Sequence, residues 1–243
     1  MTNLTQTVRE IALEQPHSIR VFERFGIDYC CGGRKPLAEA CAERQIAVDN
    51  VVAALEAAAG DNAPLPADWT QAPLGNLIEH IVATHHAYVK SELPRLAVLA
   101  QKVVNRHGDT QAHLPAMQKV LAELDEELIH HLGKEEHVLF PYISKMEAAQ
   151  TSGGAQPEVC FGTVANPIAM MTSEHDAAGA MIAELRRLSL DFTTPVGACP
   201  TYLAYYAGLK EFEQDLHQHI HLENNILFPR AIAMEAAAVG TAA

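Results

Sequence analysis

Basic residues are scarce in this sequence of 243 residues, which has 17 Lys and Arg against 30 Asp and Glu and a formal net charge of −13. That balance argues against nucleic acids and anionic membrane surfaces as partners. Long apolar runs are also missing, because Glu, Lys or His interrupts each stretch before it reaches the length of a membrane span. The amino-terminal stretch has no apolar core of signal length, and five Cys is an odd count. Both features favour reduced thiols and a cytoplasmic location.

Several catalytic signatures are absent as well, including a phosphate-binding glycine loop, a nucleophile elbow and a Cys-x2-Cys pair. No alternation of β type is visible, but 49% apolar residues suffice for a real core. We predict an all-α fold, with a small helical Cys-Cys-Gly-Gly domain in 1–60, a linker in 61–72 and a four-helix bundle in 73–243. The bundle helices are expected near 73–107, 113–149, 165–191 and 199–236.

Histidine, in contrast, is abundant, with 13 residues, and part of it lies in an internal repeat. The pattern His-x3-Glu-x3-Leu-Phe-Pro occurs at His131–Pro141 and again 88 residues later at His219–Pro229. One helix earlier, His86 and His175 are separated by 89 residues. A unit of two helices, with one His on the first and His-x3-Glu on the second, is therefore present twice.

The spacing of these residues predicts that they face the core. Residues i and i+4 share one face of a helix, so His-x3-Glu directs an imidazole and a carboxylate to one point. The apolar seam of each long helix, such as Leu124, Leu128, His131, Glu135 and Val138, is interrupted at the same level. The neighbouring His85 and His130 fit more polar faces and are expected to point away.

Four imidazoles and two carboxylates are thus expected to meet inside the bundle. A buried carboxylate without a counter-charge costs several kcal/mol, and a metal cation supplies that charge. Nitrogen and oxygen ligands suit iron, manganese or zinc, and two His per metal with two shared carboxylates suit a dinuclear centre with open positions for an oxo or hydroxo bridge. The alternative is a metal-free network of hydrogen bonds among core polar groups. The predicted ligands are His86, His131, Glu135, His175, His219 and Glu223.

Two further groups of residues are candidates for chemistry. Adjacent Cys30 and Cys31 are followed by two glycines and lie close to Arg34 and Lys35, which favours accessible thiols with redox or iron-transfer roles. A disulfide between neighbours would be strained, and the alternative is that both residues pack a tight turn. Glu127 and Glu174 could support the metal ligands or relay protons, or they are simply solvated.

These motifs together resemble a known family. The bundle residues resemble haemerythrin-like di-iron domains, and Asp28-Tyr-Cys-Cys-Gly-Gly33 before them resembles the small amino-terminal domain of the RIC proteins, which repair iron centres. The resemblance implies two iron ions per chain, with the four His of the set as terminal ligands and Glu135 and Glu223 as bridges. Oxygen-carrying haemerythrin has five His and an asymmetric centre, whereas each half of this chain supplies the same set.

The resemblance also implies the function. It indicates a stress-response protein that restores iron–sulfur clusters damaged by nitric oxide or oxidants, with damaged iron–sulfur proteins as partners and iron donation as the means. The alternatives are a di-iron nitric oxide reductase and a sensor or carrier that binds oxygen or nitric oxide. The residues do not separate these functions, nor do they decide between a monomer and a homodimer.

Overall fold

The computed structural model describes residues 5–30, 32–59, 68–155, 157–158 and 160–240, without the side chains of 239 and 240. These residues are largely helical, and β pairing among them is limited to an isolated bridge between Thr7 and Pro36. The predicted all-α class is therefore confirmed. None of the described helices combines the length and the apolarity that crossing a membrane requires. Most of the predicted linker, 61–72, lies outside the described residues, namely 61–67.

Short helices come first and long helices follow. The short ones are α1 Val8–Glu14, α2 Ser18–Phe25, α3 Leu37–Glu43 and α4 Val48–Ala59. The long helices α5, α6 and α8 each contain a π-helical segment. Their successive segments are Leu74–Ile81, Val82–His86 and Ala87–His107 in α5, and His113–Lys134, Glu135–Leu139 and Phe140–Ser152 in α6; α7 is Ala165–Leu188, and α8 consists of Pro200–His221, Leu222–Leu227 and Phe228–Gly240.

The described residues divide into two compact units. The first consists of the described part of Met1–Pro73 together with His217–Pro229, and the second consists of Leu74–Leu216 with the described part of Arg230–Ala243. The domain boundaries that the sequence suggests stay a prediction.

The first unit is built on a small apolar core. Ile11, Phe22 and Leu55 are fully buried there. Helix α1 begins with a capping box, in which the Thr7 side chain accepts from the Glu10 backbone and the Glu10 side chain accepts from Thr7. Such a cap satisfies amides that a short helix cannot satisfy internally, and packing of the apolar faces supplies the remaining stability.

Tyr29 contacts the segment His217–Pro229 within the first unit. Its buried ring lies edge-on to His221 with centroids 5.4 Å apart, and its carbonyl accepts a hydrogen bond of 3.3 Å from the Asn225 side chain. Burial, with the nearby charge of Arg9, lowers the pKa of His221 to about 4. His221 is therefore a neutral packing residue of this unit.

The second unit is a helical bundle. Helix α6 packs against both α5 and α7. The part of α8 before His217 joins them through polar contacts as well as its buried aromatic side chains. Asp215 lies 2.9 Å from His85 on α5, Glu213 pairs with Arg186 on α7, and His113 on α6 lies 3.1 Å from the hydroxyl of Tyr206. These contacts bring four helices around one core.

The π-helical segments shift which residues face that core. In α5, Ile78 and Ile81 are buried before the π-helical segment, His85 and His86 are buried within it, and Val89 is buried after it. Because one extra residue enters the turn, the seam passes from one helical face to the next. The expectation that His85 points away from the core is therefore wrong, whereas His130 is exposed as expected.

The same shift corrects the seam of α6. Its spacing from Glu135 predicts that Val138 lies on the buried seam, but Val138 is 50% exposed, and Leu139 is buried instead. The segment Glu135–Leu139 is π-helical, so the buried position moves by one residue.

Candidate metal centre

Five of the six predicted ligands lie at the π-helical segments or one turn away from them, and His175 lies in the regular helix α7. His86 ends the segment Val82–His86, Glu135 begins the segment Glu135–Leu139, and Glu223 lies within Leu222–Leu227. Single π turns inside α-helices are frequent at functional sites, because the extra residue redirects a side chain that regular spacing would misplace. All six predicted ligands are at most 2% exposed.

Glu135 is the central residue of the group in the second unit. Its Oε2 lies 3.3 Å from Nε2 of His131 and 3.5 Å from Nε2 of His86. His131, Glu135 and His175 each offer a ligand atom, and these three atoms lie within 4.8 Å of one another. Three helices thus bring three imidazoles to one buried carboxylate.

In two of these imidazoles, the Nδ1 atom, which faces away from Glu135, forms a hydrogen bond with another carboxylate. His131 Nδ1 lies 2.8 Å from Glu174, and His86 Nδ1 lies 2.8 Å from Glu136. An ionised carboxylate only accepts hydrogen bonds, so each Nδ1 carries the proton and donates it. In the neutral ring the lone pair is then on Nε2, the atom that faces Glu135.

Lysine side chains keep the carboxylates of Glu174 and Glu136 ionised. Lys134 pairs with Glu174, and Lys90 donates to both oxygens of Glu136 at 2.6 and 2.7 Å. Burial raises the pKa of both carboxyls, but the hydrogen bonds from lysine and histidine outweigh burial, and the pKa of each lies below its usual value. The two Lys–Glu–His chains therefore fix the tautomer of His86 and of His131.

This arrangement fits a cation. His131 Nε2 and His175 Nε2 face each other at 2.9 Å, and Glu135 presents two buried oxygens that accept no hydrogen bond from the described residues. A buried carboxylate that accepts no hydrogen bond is costly in a medium of low dielectric constant. A metal ion converts the same atoms into ligands, as buried His and Glu groups can be.

The second His-x3-Glu pair lies in the first unit. His219 Nε2 and Glu223 Oε1 are 3.0 Å apart, and both side chains are buried. The i, i+4 spacing therefore directs both groups to one point, as the sequence predicts.

A small cavity opens beside the predicted ligands of the second unit. Its volume is about 40 Å³, and its lining includes His131, His175, Glu174, Glu127 and Met181. Glu127 is exposed at this cavity, whereas Glu174 touches a predicted ligand directly. Of the two glutamates that the sequence suggested as supporting residues, Glu174 has the contact that such a role requires.

The cysteine motif surrounds a different carboxylate. Asp28 Oδ1 accepts from the Cys30 amide at 2.8 Å and lies 3.1 Å from the Cys30 thiol, and Asp28 Oδ2 accepts from the Gly32 amide at 2.9 Å. Cys30 is buried, and Cys31 lies outside the described residues. The Lys35 ammonium, which the sequence suggests as a neighbour of the thiols, donates a hydrogen bond of 2.6 Å to Glu43.

Sequence reasoning missed the residues that hold the histidines. Glu136 comes from a different helix than His86, which it contacts. Lys90 and Lys134 lie one turn after His86 and His131 on the same helices, and each acts through a glutamate. Glu136 directly follows one predicted ligand and Glu174 directly precedes another, and this adjacency is the signal that the sequence offers. The His85–Asp215 pair, across 130 positions, had no local signal.

Two family profiles match the chain. A profile described as the hemerythrin HHE cation binding domain matches residues 77–231, which include every predicted ligand. A second profile, ScdA_N, described as a domain of unknown function (DUF542), matches residues 4–59, which include the cysteine motif.

Curated relatives match almost the whole chain. A protein of Escherichia coli O81 (strain ED1a) named iron-sulfur cluster repair protein YtfE is 39% identical over 230 residues, which is 95% of this chain and 98% of the relative. Proteins with the same name from Escherichia coli O1:K1 / APEC and from Escherichia fergusonii are 38% identical over the same shares.

Proposed function

This chain belongs to the haemerythrin HHE cation-binding family and to its iron–sulfur cluster repair proteins, and we propose that it restores damaged iron–sulfur clusters by donating iron. The observation that carries the proposal is the buried carboxylate of Glu135, which accepts no hydrogen bond from the described residues and faces imidazole lone pairs. Its targets are iron–sulfur proteins damaged by nitric oxide or oxidants.

The proposed store is a dinuclear iron centre. Duplication of the ligand pattern at an offset of 88 residues supports two equivalent irons, each with two terminal His, and with two shared carboxylates as bridges. The proposed ligands are His86, His131, His175 and His219, with Glu135 and Glu223 as bridges. An oxo or hydroxo bridge would complete the centre.

The donor set suits release as well as binding. Iron in this centre would have nitrogen and oxygen ligands and no thiolate, whereas a cluster holds iron through sulfur, the softer and more strongly bound donor. Glu136 and Glu174 accept hydrogen bonds from the Nδ1–H groups of His86 and His131, so the Nε2 atoms of these two histidines stay deprotonated and oriented. Iron would therefore pass to a thiolate-rich acceptor when the acceptor lacks it.

Reactivation of a damaged cluster enzyme tests the proposal. Iron-loaded protein, prepared without oxygen, should restore activity to an enzyme whose cluster nitric oxide has degraded, whereas Glu135→Leu should not. Glu127→Leu, at the exposed glutamate of the cavity, is the matched control and should repair as the unaltered protein does. Equal rescue by Glu135→Leu, or by the same quantity of free iron, would overturn iron donation.

The cavity beside His131 and His175 favours one second function, the reduction of nitric oxide. A volume of about 40 Å³ exceeds the roughly 10–15 Å³ that one water requires, so small diatomic molecules would have room next to the ligands. Many turnovers of nitrous oxide production per site, with an added reductant, would support this function. At most one turnover per site would count against it.

A further inference from the structure

The cysteine motif and a histidine of the first unit form a second group of metal-ligand type. Asp28, Cys30 and His217 each offer one ligand atom, and these atoms lie within 4.8 Å of one another. Oxygen, sulfur and nitrogen donors thus meet at one point of the loop between α2 and α3. The group shares no residue with the buried His and Glu groups.

The spacing of the donors suits one cation. Ligands on a tetrahedral ion with bonds of about 2.0–2.3 Å lie roughly 3.3–3.8 Å apart. Asp28 Oδ1 and Cys30 Sγ are 3.1 Å apart, and the three atoms lie close enough that small side-chain rotations would bring them onto one ion. Three protein ligands leave a fourth position open.

The loop is built to hold the carboxylate in place. Asp28 accepts two backbone hydrogen bonds, and a Cβ on Gly32 would lie 3.0 Å from Asp28 Oδ2. A Cβ on Gly33 would lie 2.5 Å from the Tyr29 carbonyl oxygen, so the turn closes only with glycine at this position. Each carboxylate oxygen keeps a lone pair beyond these bonds.

We propose that Asp28, Cys30 and His217 bind a single divalent transition-metal ion, of the class of Zn²⁺ or Fe²⁺ that accepts a thiolate with nitrogen and oxygen ligands. On binding, the Cys30 thiol releases its proton to solvent, and the thiolate forms the metal–sulfur bond without any change of oxidation state. The metal-free alternative is a thiol that only donates a hydrogen bond to Asp28. The inference goes beyond the proposed function, because it holds whether or not the bundle donates iron.

Cobalt titration of the full chain tests this site. Co²⁺ added to iron-loaded protein without oxygen should produce a thiolate-to-cobalt charge-transfer absorption that saturates near one equivalent. The buried His and Glu groups contain no sulfur and cannot produce this band, so the result does not depend on the bundle site. Absence of the band in the unaltered protein would overturn the proposal.

Variants assign the ligands. Cys30→Ser should abolish the band, and His217→Gln should weaken Co²⁺ binding by about ten-fold or more. Cys199→Ser is the control, because Cys199 also lies near a histidine, 3.6 Å from His107 Nε2, and it should leave the band unchanged. A band that persists in Cys30→Ser, or that is lost only in Cys31→Ser or Cys199→Ser, would overturn the assignment.

A second measurement avoids dependence on the folding of the variants. Co²⁺ should slow alkylation of Cys30 in the unaltered protein, as followed by peptide mass spectrometry, whereas Cys160, which is exposed, should react at an unchanged rate. Equal alkylation of Cys30 with and without Co²⁺ would overturn the proposal.

Discussion

Glu135 in the second unit and Asp28 in the first are both carboxylates beside candidate metal ligands, but the chain satisfies them differently. Asp28 is half-buried and accepts hydrogen bonds from the amides of Cys30 and Gly32. Glu135 is fully buried and accepts none from the described residues. The loop around Asp28 is therefore stable without a metal, whereas the position of Glu135 is costly unless a cation is present.

The difference follows from the secondary structure that carries each residue. A loop offers free backbone amides to a carboxylate, and glycines let the chain close around it. A helix uses its amides internally, so a carboxylate on a buried helical face finds no backbone donor. Helical carboxylates in a core consequently depend on side chains or on metal ions.

The largest expected effect comes from Glu135→Gln, which replaces the buried carboxylate, the proposed metal ligand, with a neutral amide. Loss of a ligand should exceed the 10–100-fold that supporting residues cost, so affinity for iron should fall by more than about 100-fold. Iron per chain after purification without oxygen, measured by mass spectrometry, is the readout. Glu127→Gln should keep its iron, and full iron in Glu135→Gln would break the comparison.

Removal of the metal should lower stability, and Glu135 should be the reason. A ligand present at about 1,000 times its dissociation constant stabilises the folded state by roughly 4 kcal/mol, and chelation removes that contribution. Without metal, Glu135→Gln should unfold at a higher temperature than the unaltered protein, because the variant buries no unpaired charge. Calorimetry of both chelated proteins decides this point, and identical melting temperatures would show that Glu135 is satisfied without a cation.

The burial of the predicted ligands could be inferred from the sequence because their signal is local and repeated. His131 and Glu135 share a helical face by spacing alone, and the second copy at His219 and Glu223 makes coincidence improbable. The long helices were predictable for the same reason, since an apolar seam repeats along each of them.

What the sequence did not reveal depends on contacts between helices or on a break in the helical period. Val138 and His85 were misplaced because a π-helical segment shifts the buried face by one residue, and the pattern that precedes the shift gives no sign of it. Glu136 supports His86 across 50 positions, a pairing that only the packing of α5 on α6 creates.

An intermediate effect is expected from the carboxylates that hold the histidines. Glu136→Gln and Glu174→Gln should each weaken iron binding by about 10–100-fold, because a neutral amide no longer fixes the proton on Nδ1. Similar losses in both variants, measured by competition with a chelator of known affinity, would show that the two Lys–Glu–His chains are equivalent. Glu123→Gln alters an exposed pair with Lys119 and should have no effect. An unchanged affinity in either carboxylate variant would remove that residue from the site.

The smallest expected effect tests the other side of the comparison, the loop that satisfies Asp28 without a metal. In Gly33→Ala, the added Cβ would meet the carbonyl oxygen and carbon of Tyr29 at 2.5 and 2.7 Å, and backbone atoms cannot rotate away as a side chain can. The turn must open, and the expected loss is about 1–3 kcal/mol of unfolding free energy, as for an overpacked core.

Gly133→Ala is the matched control, because this helical glycine of α6 has nothing within 4 Å of an added Cβ. There the same substitution should stabilise the protein by about 1 kcal/mol through helix propensity. Urea unfolding separates the two signs, and a neutral or stabilising Gly33→Ala would mean that the loop tolerates a side chain and does not depend on glycine to hold Asp28.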